Sequence, residues 1–100
     1  MKIAFSTLGC PQWTWDEILA TTKDLGFDGV EIRGIENEIY VPNAKPFSDK
    51  NLDSTKERLA GLKLGIPVLT SAAYLFDKEN IEKSIKEGKD YIDLAQKAGV

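Results

Sequence analysis

The chain has 100 residues, of which 42% are hydrophobic and 29% are charged. These values are typical of one small globular domain and exclude a disordered chain. Its 16 acidic residues outnumber its 13 basic ones, and the net charge of -3 comes without any run of Lys or Arg that could follow a phosphate backbone. Nucleic acid is therefore not an expected partner.

The amino terminus, MKIAFSTLGCPQW, lacks the long apolar stretch of a signal peptide, and no apolar run approaches membrane-spanning length. We therefore expect a cytoplasmic protein without membrane contact. Cys10 is the single cysteine and histidine is absent. An internal disulfide is therefore impossible, and a Cys/His metal site would lack nearly all of its ligands. Without a histidine to activate it, Cys10 is expected to be a structural residue.

The first part of the chain predicts a strand, a helix and a second strand. The run Ile3–Ser6 forms the first strand. The sequence TWDE fits a capping box and predicts a helix that begins at Trp15. Apolar residues then recur at helical spacing to Leu25, and Gly26 suits a left-handed cap. The second strand is predicted from Gly29 to Arg33.

The rest of the chain repeats this alternation. Residues 34–49 include two prolines and predict a long irregular loop, of the kind that is usually functional or mobile. A second helix, closed by Gly65, leads to a third strand over Ile66–Thr70. A third helix, capped by Asp77 or Asn80, runs to Gly99. Its periodic positions are Ile81, Ile85, Gly88, Ile92 and Ala95, and those of the second helix are Leu52, Thr55, Leu59 and Leu62.

The predicted order is strand, helix, strand, helix, strand, helix, in units of about thirty residues, as right-handed crossovers between parallel strands require. We therefore predict an α/β fold made of parallel β/α units. Residues 1–100 are expected to be one segment that ends where a fourth strand begins.

The second strand carries charges where a buried strand should be apolar. Glu31 and Arg33 alternate with Val30 and Ile32 within GFDGVEIRG. Central strands covered on both faces are almost entirely apolar. In a closed parallel barrel, helices cover only the outer face, and the active site lies at the carboxyl ends of the strands. We therefore predict that Glu31 and Arg33 face the lumen and bind substrate, although an ion pair on a solvated edge strand is the alternative.

The first strand alternates in the same way. Ile3 and Phe5 are suited to the face covered by helices, and the small Ala4 and Ser6 are suited to the crowded centre of the barrel. Ser6 is accordingly a further candidate for substrate binding.

Two more candidates lie outside these strands. Ser71 can bind a ligand at the end of the third strand or cap the turn that follows, with equal support for both roles. Trp13 can form an aromatic wall against a sugar, although residues of this kind more often pack a helix onto its neighbours. The cluster Glu36, Asn37 and Glu38 is expected to be solvated surface.

Three segments together resemble a known family. KIAFST at the start, LGFDGVEIR before and within the second strand, and GIPVLTSAAYL at the third are similar to the amino-terminal part of sugar phosphate isomerase/epimerases. The resemblance runs through essentially the whole chain. It implies a xylose isomerase-like TIM barrel, of which this chain supplies about three of the eight units as a truncated or separately expressed piece.

The resemblance also implies a metal-dependent enzyme that moves a proton next to the carbonyl of a sugar or sugar phosphate. The family's metal ligands come from later strands, so no residue here is assigned as catalytic or as a metal ligand. No cofactor is expected in this chain, whereas Mn, Mg, Co or Zn is implied for the full-length parent. The 100-residue chain is expected to be inactive by itself.

Two other functions stay open. The chain can be a complete small α/β module whose charged residues bind a ligand or a protein partner. It can also belong to the related apurinic endonuclease branch, but that branch has a histidine where this chain has Ser71, and the acidic composition does not suit DNA. Because a three-unit piece leaves strand edges unpaired, a homodimer is expected, with Ala4, Ser6 and the residues of the third strand near its contact.

Overall fold

The computed structural model describes residues 1–73 and 78–100. In chain order the elements are β1 (Ala4–Ser6), α1 (Trp15–Asp24), β2 (Gly29–Glu31), α2 (Leu52–Leu62) and α3 (Ile81–Ala98). Short 3₁₀ turns occupy Thr7–Gly9, Val41–Asn43 and Lys45–Phe47. The chain is therefore mixed α/β, as the sequence predicts. Asn80 is the N-cap residue of α3, whereas Asp77, the other predicted cap, lies outside the described residues.

The capping box predicted for α1 is confirmed. The Thr14 hydroxyl accepts a hydrogen bond from the Glu17 backbone N–H at 3.1 Å, and the Glu17 carboxylate accepts one from the Thr14 N–H at 3.1 Å. These bonds satisfy N–H groups that have no partner within the first turn. At the other end, Gly26 adopts the left-handed conformation with φ of 77°. Ile18 and Leu19 are fully buried and direct one face of α1 into the core.

The sheet is parallel and its segments follow chain order. β1 pairs with β2 in the register Ala4–Gly29, Phe5–Val30 and Ser6–Glu31. On the other side of β2, residues 65–70 run parallel to it through single bridges from Gly29 to Gly65 and from Ile32 to Leu69. β2 therefore lies between the first and third extended segments.

The predicted third strand is not continuous. Between its two bridges to β2, the pairing register shifts by one residue, which is the signature of a bulge. Pro67 lies within the shifted stretch and has no N–H to donate to a ladder. The bonds resume beyond it, from the Ile32 N–H to the Val68 carbonyl and from the Thr70 N–H to the Ile32 carbonyl. Because of the extra residue, Ile66 and Leu69 both pack against the core.

The predicted alternation along β2 is confirmed for its apolar residues. Val30 and Ile32 are fully buried in the same cluster as the core residues of α1, while Glu31 and Arg33 are half-buried. In β1, Phe5 packs against this core, with its ring centroid 5.4 Å from that of Phe27. The prediction for Ile3 is wrong, since this side chain precedes the strand and is 52% exposed.

The segment predicted as an irregular loop is a packed part of the core. Val41, Ala44 and Phe47 are each at most 3% exposed. Their spacing of three residues matches the period of the two 3₁₀ turns, between which Ala44 lies. The Phe47 ring meets that of Trp15 edge to face, with centroids 5.5 Å apart. Residues 34–49 therefore cover the start of α1 and contribute to the core.

Two details of the later helices differ from the predictions. α2 is capped by Lys63, which adopts the left-handed conformation with φ of 57°, whereas Gly65, its predicted stop, pairs with β2. In α3 the predicted apolar face is only partly covered: Ile85 and Ile92 are 43% and 68% exposed, whereas Ile81, Gly88 and Ala95 are half-buried. The buried positions are Ser84, Tyr91 and Leu94, because α3 packs through Tyr91 onto residues 39–41.

Across residues 1–73 and 78–100, no helix combines the length and apolar character that crossing a membrane requires.

Candidate functional site

Polar side chains meet where the parallel segments end. Glu31, the last residue of β2, lies beside Ser6 of β1 in the strand register. On its other side, the Thr70 hydroxyl donates a hydrogen bond of 2.9 Å to Glu31 Oε1. The carboxyl ends of parallel strands are where ligands bind in α/β folds. Ser6, Glu31 and Thr70 form the strand-end site.

Arg33 lies next to this site and is fixed through its backbone. Thr7 Oγ1 accepts hydrogen bonds from the backbone N–H groups of Arg33 at 2.8 Å and Gly34 at 3.1 Å. Thr7 is fully buried, so its hydroxyl joins the ends of β1 and β2 in an environment without competing water. Sequence reasoning missed Thr7, although its place directly after Ser6 is a signal for a strand-end role.

Within residues 1–73 and 78–100, part of the Arg33 guanidinium has no hydrogen-bond partner. Its Nη1 atom is buried and has no hydrogen-bond acceptor, and no carboxylate of residues 1–73 or 78–100 forms an ion pair with it. The positive charge of Arg33 acts electrostatically on the Tyr91 hydroxyl. Burial raises the pKa of Tyr91, while the hydrogen bond to the Val41 backbone and the Arg33 charge oppose that rise.

The other predicted site residues have local structural contacts. Ser6 Oγ accepts a hydrogen bond from the Leu8 N–H at 3.2 Å, and Ser71 Oγ accepts one from the Ala73 N–H at 3.3 Å. Both hydroxyls thus stabilise the turn that follows their strand. The Trp13 side chain packs against the core, while its carbonyl accepts a hydrogen bond of 3.0 Å from the Glu36 N–H.

A pocket of about 140 Å³ opens beside Arg33. Its polar lining comes from Thr7, Arg33 and Asn37, and its other lining residues are Leu8, Pro11, Gly34 and Ile39. We call it the Arg33 pocket.

Asn37 reaches this pocket through a tight turn. Glu36 and Asn37 have positive φ angles of 51° and 66°, and Ile35 and Glu38 close the turn with reciprocal backbone bonds of 3.0 and 2.8 Å. The Asn37 N–H also donates to the Pro11 carbonyl at 2.7 Å, which fixes the turn against the loop after β1. Glu36 and Asn37 are solvent-exposed, as predicted, but Asn37 additionally lines the pocket.

The donor set at the strand-end site does not fit a metal ion. Among the described residues, no three His, Cys, Asp or Glu side chains group in a way that could hold one. Glu31 offers a carboxylate, but Arg33 follows it by two residues and its positive charge opposes a cation there. The described residues therefore provide no ligand set for the divalent metal that the family resemblance implies.

Cys10 is buried at 8% exposure. Burial, and to a lesser degree the charge of Glu17, raises the pKa of its thiol. Because the thiolate is the nucleophile, this environment suits the structural role expected from the sequence.

Comparison of the chain with protein-family models, curated proteins and solved structures found no significant match.

Proposed function

We propose that the chain is the amino-terminal part of a sugar phosphate isomerase/epimerase with a xylose isomerase-like barrel. The observation that supports this proposal is the order of the three parallel segments, with polar residues gathered at their carboxyl ends. A barrel binds its substrate at that end. Glu31 and Arg33, from the motif that carries the family resemblance, both lie there.

In this proposal the residues of the chain bind and orient the sugar. Thr70 engages Glu31 Oε1, so the other carboxylate oxygen can accept a hydrogen bond from a sugar hydroxyl. Ser6 and Ser71 offer hydroxyl groups at the ends of the neighbouring segments. The reaction is proton transfer next to the sugar carbonyl, and its bases and divalent metal belong to later strands of a longer parent.

Titration of the ¹⁵N-labelled chain with a neutral ketohexose tests the proposal. We expect amide shift changes at Ser6, Glu31 and Thr70. Glu31→Gln should weaken binding about tenfold, because a hydrogen bond to a charged group is lost. Glu57→Gln, an identical change at an exposed position of α2, is the matched control and should leave the affinity unchanged.

Shift changes confined to other surfaces, or equal affinity of Glu31→Gln and the parent chain, would show that the strand-end site does not bind sugar. Activity gives a second test. Purified residues 1–100 with Mn²⁺ and a sugar phosphate should show no turnover, because the described residues offer no cluster of metal donors. Turnover by this chain would contradict its assignment as part of a barrel.

A stand-alone α/β ligand-binding module is the second candidate. It is favoured by a buried cluster of described residues to which α1, β2, residues 34–49, α2 and α3 all contribute. Such a module should unfold cooperatively as a monomer, whereas the barrel piece should associate through its open edges. Unfolding curves measured over a hundredfold range of protein concentration distinguish the two, since only an associating chain has a concentration-dependent midpoint.

A further inference from the structure

The Arg33 pocket has an excess of hydrogen-bond donors. Of the described residues that line it, Arg33 alone is charged. The Asn37 amide adds two donor hydrogens beside one acceptor oxygen. The Thr7 hydroxyl oxygen already accepts two hydrogen bonds from backbone N–H groups. The hydroxyl can therefore interact with a ligand by donating its own proton. A pocket with this lining attracts an acceptor that carries negative charge.

No carboxylate of residues 1–73 or 78–100 forms an ion pair with Arg33. Glu31 is engaged by Thr70, and Glu38 accepts a hydrogen bond of 3.3 Å from the Tyr40 N–H. Glu87, whose charge also acts on Tyr91, forms no ion pair with Arg33. None of these three carboxylates lines the pocket. The half-buried Arg33 side chain lines the pocket, so its positive charge is available to pair with an external anion.

The pocket is also held in place before any ligand arrives. Thr7 fixes the backbone of Arg33 and Gly34, and the turn that carries Asn37 is bonded to Pro11. Leu8 and Ile39, which are 66% and 57% exposed, form its apolar rim. Apolar walls lower the local dielectric and strengthen a charge-assisted hydrogen bond inside them.

We propose that the Arg33 pocket binds a small oxyanion, a phosphate or carboxylate group, with Arg33 as the charged anchor and Thr7 and Asn37 as flanking donors. This goes beyond the proposed function, because the donor excess exists whatever reaction the chain takes part in. The apolar rim suits a ligand whose oxyanion is attached to a carbon body.

Separate titrations of the ¹⁵N-labelled chain with inorganic phosphate and with acetate, at constant ionic strength, test the proposal. We expect saturable shift changes at Arg33, Gly34 and Asn37 with at least one anion, and the tighter ligand identifies the preferred oxyanion. Arg33→Gln should weaken binding about tenfold or more. Arg58→Gln removes the same charge from an exposed ion pair with Asp16 and should leave binding unchanged.

A second pair of variants avoids the risk that Arg33→Gln fails to fold. Asn37→Asp places a carboxylate in the pocket at an exposed, left-handed position that Asp tolerates, and it should abolish anion binding. Asn43→Asp makes the same charge change at an exposed position outside the pocket and should have little effect. Absence of saturable shifts with both anions, or equal binding by Asn37→Asp and Asn43→Asp, overturns the proposal. Because neither anion is a sugar, this result is independent of the ketohexose titration.

Discussion

At the scale of single residues, Thr7 shows how one hydroxyl organises a site. It is fully buried and accepts hydrogen bonds from two successive backbone N–H groups at the end of β2. Thr22 is equally buried, but its hydroxyl donates to the Ile18 carbonyl at 2.7 Å, a group that already accepts the ordinary bond within α1. The two threonines therefore differ in what their loss leaves unsatisfied.

Replacing Thr7 with Val keeps the shape of the side chain and leaves the Arg33 and Gly34 N–H groups without an acceptor. We expect a loss of roughly 1–3 kcal/mol in the free energy of unfolding, measured by urea denaturation. Thr22→Val is the control and should cost less, since the Ile18 carbonyl keeps its helical partner. Equal losses for the two variants would mean that the Thr7 bonds do not stabilise the fold.

At the scale of elements, α3 is joined to residues 39–41 by two tyrosines. The Tyr91 hydroxyl accepts a hydrogen bond from the Val41 N–H at 3.0 Å and donates one to the Ile39 carbonyl at 3.0 Å. The Tyr40 hydroxyl donates to Asp90, and the two rings meet edge to face with centroids 5.8 Å apart. These contacts explain why α3 buries Tyr91 and leaves its isoleucine stripe partly exposed.

Tyr91→Phe removes the acceptor of the buried Val41 N–H. We expect a loss of roughly 1–3 kcal/mol in the free energy of unfolding, together with faster amide hydrogen exchange in α3. Tyr40→Phe should cost less, because the partner it releases, Asp90, can be solvated. Unchanged exchange in Tyr91→Phe would show that α3 is held by other contacts.

Asp90 gives this junction a pH dependence. The hydrogen bond from Tyr40, followed by that from Lys86 at 3.1 Å, lowers the pKa of the Asp90 carboxyl. Its contribution to stability is therefore present at neutral pH and is lost as the pH falls through the lowered pKa of the folded state. Tyr40→Phe should raise the Asp90 pKa towards its ordinary value in a ¹³C carboxyl NMR titration. A pKa that stays low in this variant would assign the shift to Lys86, and Lys86→Gln checks that assignment.

At the scale of the whole molecule, the sheet has open edges and apolar surface. Among the described residues, β1 pairs with β2 on one side only, and residues 65–70 likewise pair only with β2. Ile85 and Ile92 add exposed apolar area on α3. Unpaired edges and apolar patches favour association with another chain, and closed dimers are its commonest form.

We accordingly expect dimers in sedimentation velocity experiments at micromolar concentration. Ile92→Glu should shift the chain towards monomer if α3 lies in the contact. Ala60→Glu, the introduction of the same charge at an exposed position of α2, should not. A clean monomer for the parent chain would contradict the expected dimer and would favour the stand-alone module.

The features that the sequence by itself determined depend on interactions between residues that are close along the chain. The start of α1 follows from the reciprocal bonds of Thr14 and Glu17, and its end from the positive φ of Gly26. The burial of Val30 and Ile32 follows from strict alternation along a strand. Each of these features depends on three or four neighbouring residues, so it can be predicted from the sequence without knowledge of the tertiary structure.

Tertiary structure alone decided the features that join distant segments. The bulge near Pro67 follows from pairing with β2, and the buried face of α3 follows from Tyr91 reaching residues 39–41. The Arg33 pocket likewise combines the end of β1, the end of β2 and the turn at Asn37. Periodicity reports which side chains are apolar, but contacts across tens of residues decide which of them are covered and which polar groups are left to bind a ligand.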